Sequence, residues 1–314
     1  MKNKIIRIAT RNSPMAVWQA NAFKQQLLQR HPAFRVEIIG MSTKGDEDTT
    51  RPLQEIGGKS LFVKELQVAL LAGNADIAVH CVKDMSVLPV RGLSIGCYLE
   101  RDDPRDALVS TRQIKLESLP SGAVIGTSSP RRASLVKKVR PDLRIKPIRG
   151  NVNTRLNKLA NGDYDAILLS YAGLKRLNLL DHVVEIIPTS NFIPAIGQGA
   201  LAVEYPTKNE FIQHLLEDFN HKPTQWCVEI ERTVNRHLLG DCHSPIGAHC
   251  EIDNSLLHLN AFVADPGGRT FLSESLSLPL TARDSIGEKM ANQLKDRGAL
   301  KLLANNRLNK GDQP

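Results

Sequence analysis

Aromatic side chains are scarce in this chain, where they make up 4% of the 314 residues. Proteins that bind single-stranded nucleic acid stack successive bases on aromatic rings. So few rings argue against that class of partner, although the formal net charge is +8. The basic surplus could serve nucleic acid, an anionic membrane surface or anionic small molecules, and the positions of the charges have to decide between them.

Long apolar runs are missing as well. No stretch approaches the roughly 20 apolar residues that a membrane-spanning helix needs. The first residues, MKNKIIRIAT, are basic at the start but include neither a long apolar region nor a cleavage site. We therefore expect no membrane span, no secretory signal and a cytoplasmic location.

Cysteine is also rare. The five cysteines are Cys81, Cys97, Cys227, Cys242 and Cys250. Their odd number and wide scatter favour reduced thiols over a disulfide framework. A zinc site could use Cys242, His243, His249 and Cys250, but their spacing matches none of the usual zinc finger or ribbon patterns. We expect no metal.

The first two thirds of the chain alternate short β-rich runs with helical stretches, which predicts parallel sheets covered by helices on both faces. A strand, KIIRIA, precedes a helix with Ser13 as N-cap and Pro14 in its first position. The pattern restarts at AVIGT, and IATRNSP and IGTSSPRR both run from strand through Ser-Pro into helix. We predict two similar α/β domains in tandem, with a cleft between them.

The alternation of strands and helices ends after PAIGQGALAVEY. Two helical stretches lead into three successive β-rich runs, and a last helix follows them. This order predicts a small α+β domain at the carboxyl end. Earlier in the chain, the polar, glycine-bearing stretch 41–60 predicts a long mobile loop, and loops of that length are usually functional or disordered.

Conspicuous polar residues follow the carboxyl ends of the predicted strands, where open α/β sheets bind their ligands. These side chains are Arg11, Ser13, Lys83, Asp84, Ser128, Ser129, Arg131, Arg132, Arg149, Arg155 and Arg176. Helix N-termini and arginine forks favour carboxylate or phosphate groups. No glycine pattern matches a nucleotide-binding loop. We therefore predict a site for a small carboxylate or phosphate compound.

Two residues keep two interpretations each. Asp84, beside Lys83, is either an exposed pair of little energetic value or a carboxylate that stabilises a developing cation or moves a proton. Cys242 is either a small buried apolar side chain or, because it lies on a loop bounded by glycine and proline, a nucleophile or covalent tether. Spacing alone does not decide between them.

Seven stretches, in order and over nearly the whole chain, carry a resemblance to a known family. They are IRIATRNSPMAVWQA, the stretch from GDEDTT to HCVKD, IGTSSPRRASL, IRGNVNTRLNKL, AGLKRL, IPAIGQGALAVE and LLGDCHSPIG. The chain resembles porphobilinogen deaminase, also called hydroxymethylbilane synthase, of tetrapyrrole (haem) biosynthesis. The resemblance implies a monomeric transferase that joins four porphobilinogen units head to tail, releases ammonia at each step and yields hydroxymethylbilane.

The resemblance also implies three domains and a bound primer. Domain 1, from 1–99 with 200–217, and domain 2, from 105–193, are doubly wound and resemble periplasmic binding proteins. Domain 3, from 222–307, is the small α+β domain, and its Cys242 holds a dipyrromethane cofactor through a thioether.

By the same resemblance, Asp84 and Lys83 serve catalysis, and Lys59 lies near the end of a mobile lid. The residues that bind cofactor and substrate are Arg11, Ser13, Lys83, Thr127, Ser129, Arg131, Arg132, Arg149, Arg155 and Arg176. The chain departs from the family pattern in three places. Cys81 and Ser86 replace a serine and a proline around the Lys-Asp pair, and Asp241 replaces a small residue before the cysteine, where an acid slightly disfavours a thiolate.

Two other functions remain open at this stage. A module that binds anions without chemistry would share the strand-end cations, but the intact Cys242 loop and Asp84 argue against it. Binding of nucleic acid would use the net charge, but the few aromatic residues argue against that. We expect porphobilinogen as the partner, and neither nucleic acid nor a membrane.

Overall fold

The computed structural model describes most of the chain. The described residues are 4–42, 63–240, 244–265 and 267–308, with the side chains of the last helix described up to 304. They form two compact units. Unit 1 is Met1–Asp102 with Ala200–Gln225, and unit 2 is Asp103–Gly199 with Trp226–Pro314.

Unit 1 is built on one five-stranded sheet. Its strands are β1 (Ile5–Arg11), β2 (Arg35–Met41), β3 (Ile77–Cys81), β4 (Leu93–Tyr98) and β10 (Leu201–Pro206), in the order β2-β1-β3-β10-β4. The first three are parallel, and β10 runs antiparallel to both of its neighbours. The chain therefore returns to complete this sheet after the second sheet has formed.

Helices cover both faces of this sheet because alternate strand residues are apolar on both sides. The helices are α1 (Pro14–Arg30), α2 (Lys64–Leu71) and α6 (Glu210–Glu217). Phe23 of α1 packs with Ile6 and Ile8 on one face, whereas Leu66 of α2 packs with Ala9 on the other. Ser13 is the N-cap of α1, as predicted.

The five-stranded sheet of unit 2 repeats this arrangement. Its strands are β5 (Asp106–Val109), β6 (Val124–Gly126), β7 (Arg144–Lys146), β8 (Ala166–Ser170) and β9 (Val183–Ile187), in the order β7-β6-β8-β5-β9. Again three parallel strands adjoin one antiparallel strand, here β5. The helices are α3 (Pro130–Val139), α4 (Val152–Ala160) and α5 (Tyr171–Arg176). The two stretches that run from strand through Ser-Pro into helix, IATRNSP and IGTSSPRR, thus begin two sheets with the same arrangement of strands.

The carboxyl-terminal part of unit 2 is a small α+β structure. Its elements are α7 (Lys222–His237), β11 (Ile246–Asp253), β12 (Leu256–Ala264), β13 (Phe271–Pro279), α8 (Arg283–Asp296) and α9 (Ala299–Leu308). The three strands form one antiparallel sheet. Val234 of α7, Leu259 of β12 and Met290 of α8 share its core.

The predicted fold class, two α/β sheets with helices on both faces and a small α+β carboxyl-terminal part, is confirmed. The strands β5 and β9 and the helix α9 were not predicted. β5 was not predicted because it has only four residues and begins with Asp106, a residue type that strands disfavour. The three-domain boundaries remain a prediction, since unit 2 holds both the second five-stranded sheet and the three-stranded one.

Candidate functional site

Four predicted site residues lie at one edge of the sheet in unit 1. Arg11 is the last residue of β1, and Lys83 and Asp84 form a short 3-10 turn directly after β3. Since β1 and β3 are parallel neighbours, both connections leave at the same edge. Ser13 follows there, and its Oγ accepts a hydrogen bond from the Ala16 N–H at 3.4 Å.

The strand that ends in the Lys83–Asp84 turn is held by a buried polar pair that the sequence did not suggest. His80 Nε2 lies 3.1 Å from Glu204 Oε2, and both side chains are buried. Gln67 Nε2 donates to Glu204 Oε1 at 3.0 Å. The contacts join β3, β10 and α2. They therefore fix the direction in which β3 delivers the half-buried Lys83 and the exposed Asp84.

The departures Cys81 and Ser86 also lie at this turn. Cys81 is half-buried at the end of β3. Ser86 Oγ accepts from the Leu88 N–H at 3.2 Å. A serine can thus stabilise this turn through a side-chain hydrogen bond.

In unit 2, Thr127 and Ser129 build the entrance to α3. Thr127 Oγ1 accepts from the Ser129 N–H at 3.1 Å, and Ser129 Oγ accepts from the Arg132 N–H at 3.4 Å. Pro130 then fixes the backbone of the first turn, as expected for a helix start. This start places Arg131 and Arg132 side by side in the first turn of the helix.

Arg131 and Arg132 are buried, and both contact Asp106, the first residue of β5. Arg132 donates to Asp106 Oδ1 from Nε at 3.0 Å and from Nη2 at 2.8 Å. Arg131 Nη2 lies 2.7 Å from Asp106 Oδ2. Sequence analysis missed Asp106, which lies 26 residues from Arg132 along the chain.

The electrostatics of this cluster keep Asp106 ionised. Burial by itself would raise the pKa of the carboxyl group, but the charges of Arg131 and Arg132 outweigh burial and hold the pKa well below its usual range. Burial lowers the pKa of Arg131 from its ordinary value. Two cations and one anion leave the cluster with a surplus of one positive charge.

One donor of the cluster is unsatisfied. Arg131 Nε is buried and has no hydrogen-bond partner among the residues that the structure describes. Leaving a buried donor unpaired costs about 1–3 kcal/mol, so such a group favours an incoming acceptor. With the net positive charge, this donor fits a ligand that carries carboxylates.

The remaining predicted arginines follow the two other parallel strands of the same sheet. Arg149 comes after β7, and Arg155 lies in the first turn of α4, where its Nε donates to the Gly150 carbonyl at 2.8 Å. Arg176 ends α5, is buried, and donates from Nη2 to the Gly199 carbonyl at 2.6 Å. Since β6, β7 and β8 are parallel, all these arginines follow the same edge of the sheet.

Cys242, with Asp241 and His243, lies outside the described residues, as do Lys59 and the predicted loop from 43 onward. The residues that flank the cysteine are described. A Cβ atom on Gly240 would lie 2.1 Å from Asn235 Oδ1 and 2.5 Å from Ile246 Cδ1, so a larger residue there requires these two side chains to shift. After the cysteine, the Ile246 N–H donates to the Ser244 carbonyl at 2.8 Å.

The other cysteines act mainly as small apolar side chains. Cys227 and Cys250 lie in the core of the α+β part. Burial raises the pKa of the Cys97 thiol to about 12. Within the described ranges, no three His, Cys, Asp or Glu side chains are grouped as a metal site would require.

Among the residues that the structure describes, no helix combines the length and the apolar character needed to cross a membrane. Solved structures similar to this chain include the VFT2 domain of Bordetella pertussis BvgS, 16% identical at a TM-score of 0.40, covering 68% of this chain and 85% of that one. Another is the periplasmic aliphatic sulphonate-binding protein SsuA from Escherichia coli, 14% identical at a TM-score of 0.40, covering 74% and 70%.

Two family models match almost the entire chain. Residues 6–214 match "Porphobilinogen deaminase, dipyromethane cofactor binding domain", and residues 225–296 match "Porphobilinogen deaminase, C-terminal domain". The matches confirm the family resemblance, and with it the transferase activity and the dipyrromethane cofactor that the resemblance implied. The chain belongs to the porphobilinogen deaminase family, the dipyrromethane-dependent transferases that make hydroxymethylbilane in tetrapyrrole synthesis.

Proposed function

We propose that this chain performs the family reaction with the dipyrromethane attached to Cys242 through a thioether, with Asp84 and Lys83 as its catalytic residues. The single observation that carries the proposal is the buried cluster of Arg131, Arg132 and Asp106, whose surplus positive charge and unsatisfied Arg131 Nε suit a carboxylate. When bound, the dipyrromethane supplies the free pyrrole α-carbon that forms the new carbon–carbon bond.

The cations bind the acidic side chains of the pyrroles. Each pyrrole unit carries an acetate and a propionate, so primer, substrate and product are all polycarboxylates. Arginine forks hold such groups in pairs of parallel hydrogen bonds. The residues that we assign to this task are Arg11, Lys83, Arg131, Arg132, Arg149, Arg155 and Arg176, with Ser13, Thr127 and Ser129 as hydrogen-bonding neighbours.

Asp84 handles the charge that develops during each addition. Loss of ammonia from the aminomethyl group of porphobilinogen leaves a positive charge shared with the pyrrole nitrogen. A carboxylate that accepts a hydrogen bond from the pyrrole N–H stabilises this cation. The pyrrole α-carbon that forms the new bond to this cation then loses its proton, which Asp84 can accept directly or through water. Its exposure on a turn leaves this carboxylate accessible to substrate.

The flanks of Cys242 suit a tether. Gly240 is packed against Asn235 and Ile246 on one side, and Ser244 begins the approach to β11 on the other. Only three residues, 241–243, separate these two described flanks. A covalent tether lowers the entropic cost of binding the group attached to it.

We extend the proposal to organisation and setting. The chain forms three domains, 1–99 with 200–217, 105–193 and 222–307, and Lys59 belongs to a lid that excludes water during the reaction. It works as a monomer in the cytoplasm on porphobilinogen, without nucleic acid and without a membrane. The odd number and wide scatter of the cysteines support the reducing compartment, and the monomer rests on the family resemblance.

Ammonia release from porphobilinogen tests the catalytic part. The parent protein should release ammonia and form hydroxymethylbilane, whereas Asp84→Asn, which keeps the shape but loses the charge, should fall by at least about 100-fold in kcat. Asp102→Asn, in the same unit, is the matched control and should keep parental turnover. Equal turnover by Asp84→Asn and the parent would overturn the assignment.

A further inference from the structure

We propose that Asp106 is a positioning residue for the dipyrromethane: it holds Arg131 and Arg132 in the orientation that binds a carboxylate. This inference rests on the proposed function of the arginines and adds a residue that acts only through them. Asp106 is completely buried and its own charge would repel a carboxylate, so a direct role in binding the ligand is excluded.

The position of Asp106 follows from the topology of the sheet. β5 runs antiparallel to β8, and Asp106 lies opposite Ser170, the last residue of β8. The first residue of the antiparallel strand therefore reaches the same edge as the ends of the parallel strands. An acid at this point meets the first turn of α3, which begins at that edge after β6.

The carboxylate holds both arginines at once. Arg132 approaches Oδ1 with Nε and Nη2, at 3.0 and 2.8 Å, which fixes the plane of its guanidinium group. Arg131 approaches Oδ2 with Nη2 at 2.7 Å. One carboxylate thus contacts both arginines, Arg132 through hydrogen bonds to Oδ1 and Arg131 through an ion pair at Oδ2.

Further hydrogen bonds complete the arrangement. Arg132 Nη1 donates to the Leu168 carbonyl at 3.0 Å, and Arg131 Nη1 donates to the Ile193 carbonyl at 2.9 Å. Gln198 Nε2 donates to Asp106 Oδ1 at 2.9 Å and to the Pro104 carbonyl at 2.7 Å. These contacts leave Arg131 Nε as the buried donor without a partner in the described structure.

The charge of Asp106 makes this arrangement possible. Two buried guanidinium groups in adjacent positions repel each other, and without an anion between them they would separate or draw in water. Asp106 removes that repulsion and still leaves one positive charge for the ligand. Donors that are oriented before binding lose little conformational entropy when the ligand arrives.

The test compares two variants at this position in the full chain. Asp106→Asn keeps the shape and loses the charge, whereas Asp106→Glu keeps the charge but overfills the site, so both should lower the melting temperature by several degrees. The first readout is the fraction of purified chains whose intact mass includes two extra pyrrole units. We expect this fraction to fall at least tenfold in Asp106→Asn and to stay above half the parental value in Asp106→Glu. Asp103→Asn, which breaks the neighbouring pair with Arg105, should load like the parent.

A purely structural role predicts a different pattern. Loading would then follow melting temperature, and the two Asp106 variants would load alike, which would overturn the inference. Should Asp106→Asn fail to fold, Gln198→Met removes the donor from Oδ1 while the ion pairs remain. It should lower loading severalfold, and parental loading in this variant would also overturn the inference.

Different results would refute the role of Asp106 and the proposed function. A parent protein without the mass excess would refute the tether at Cys242. Asp106 would then be judged by thermal shift with porphobilinogen, which should raise the melting temperature of the parent and Asp106→Glu but not of Asp106→Asn. Equal shifts in all three proteins would refute the positioning role.

Discussion

His80 and Glu204 face each other on neighbouring strands of unit 1, with Nε2 and Oε2 3.1 Å apart and both side chains buried. His80 precedes Lys83 by three residues and Asp84 by four. A buried pair of this kind adds little net free energy to folding, but removal of one partner is costly because the other is left buried and unpaired. It therefore restricts the strand that leads into the Lys83–Asp84 turn.

Removing Glu204 should destabilise the chain and disturb the turn. Glu204→Ala leaves His80 and Gln67 without their acceptor, and each buried polar group left unpaired costs about 1–3 kcal/mol. We expect the free energy of unfolding, measured by urea titration, to fall by that amount or more, and kcat to fall with it. Glu217→Ala, at an exposed position on α6, is the matched control. Parental stability in Glu204→Ala would contradict the account.

The loss of stability at low pH should depend in part on Asp106. A carboxyl whose pKa is lower in the folded chain stabilises the fold above its unfolded pKa, near 3.9, and this contribution is lost as the pH falls through the folded value. The depressed pKa of Asp106 therefore predicts parental stability that declines below about pH 4. Asp106→Asn lacks this group and should decline less steeply there, as thermal melts between pH 2 and 7 would show.

That decline should not vanish in Asp106→Asn. The pKa of Asp103 is also lowered, since its hydrogen bonds and ion pair with Arg105 outweigh its burial. The Arg140 side chain, through a hydrogen bond, lowers the pKa of Asp142 to about 2. If the parent and Asp106→Asn lost stability equally as the pH fell, Asp106 would not contribute to the pH dependence of stability.

Gly240→Ala should weaken attachment of the cofactor. The added Cβ would lie 2.1 Å from Asn235 Oδ1 and 2.5 Å from Ile246 Cδ1, so these side chains must shift and the packing before Cys242 is disturbed. We expect a loss of stability of roughly 1–3 kcal/mol and a smaller loaded fraction by intact mass. Gly162→Ala is an informative control, because its φ of +81° imposes strain but nothing lies within 4 Å of the added Cβ. It should lose stability without losing loading.

Thiol chemistry should separate the described cysteines from the proposed tether. With its pKa raised to about 12 by burial, Cys97 should resist alkylation of the native protein at pH 8, since the thiolate is the reactive form. Cys227 and Cys250, both buried, should also resist. Peptide mapping after brief treatment with iodoacetamide measures this, and modification of Cys97 at the unfolded rate would contradict its placement.

Local signals predicted much of the fold. Ser13 and Ser129 are N-caps because a serine before proline and a helical run satisfies the first free N–H groups, whatever the rest of the chain does. The strand–helix alternation likewise predicted two parallel sheets. That is correct for three strands of each sheet, whose ends located the arginines, but wrong for β10 and β5, which run antiparallel. These features depend on residues close together in sequence, which pattern can reveal.

The partners of those residues could not be predicted in the same way. Asp106 and Arg132 are 26 residues apart, and His80 and Glu204 are 124 apart, so only the strand order brings them together. Asp106 also begins a four-residue strand that has no clear alternation. The sequence could therefore indicate which cations follow strands, but not that one buried carboxylate holds two of them.

The intact mass of the freshly purified, reduced protein beside Cys242→Ser tests the central claim most directly. Cys81→Ser serves as the thiol control, because Cys81 is half-buried directly before the Val82–Asp84 turn. The account predicts an excess of two pyrrole units on the parent and on Cys81→Ser, and none on Cys242→Ser. A parent that stays at its bare mass after incubation with porphobilinogen, or a Cys242→Ser variant that keeps the excess, would contradict the tether.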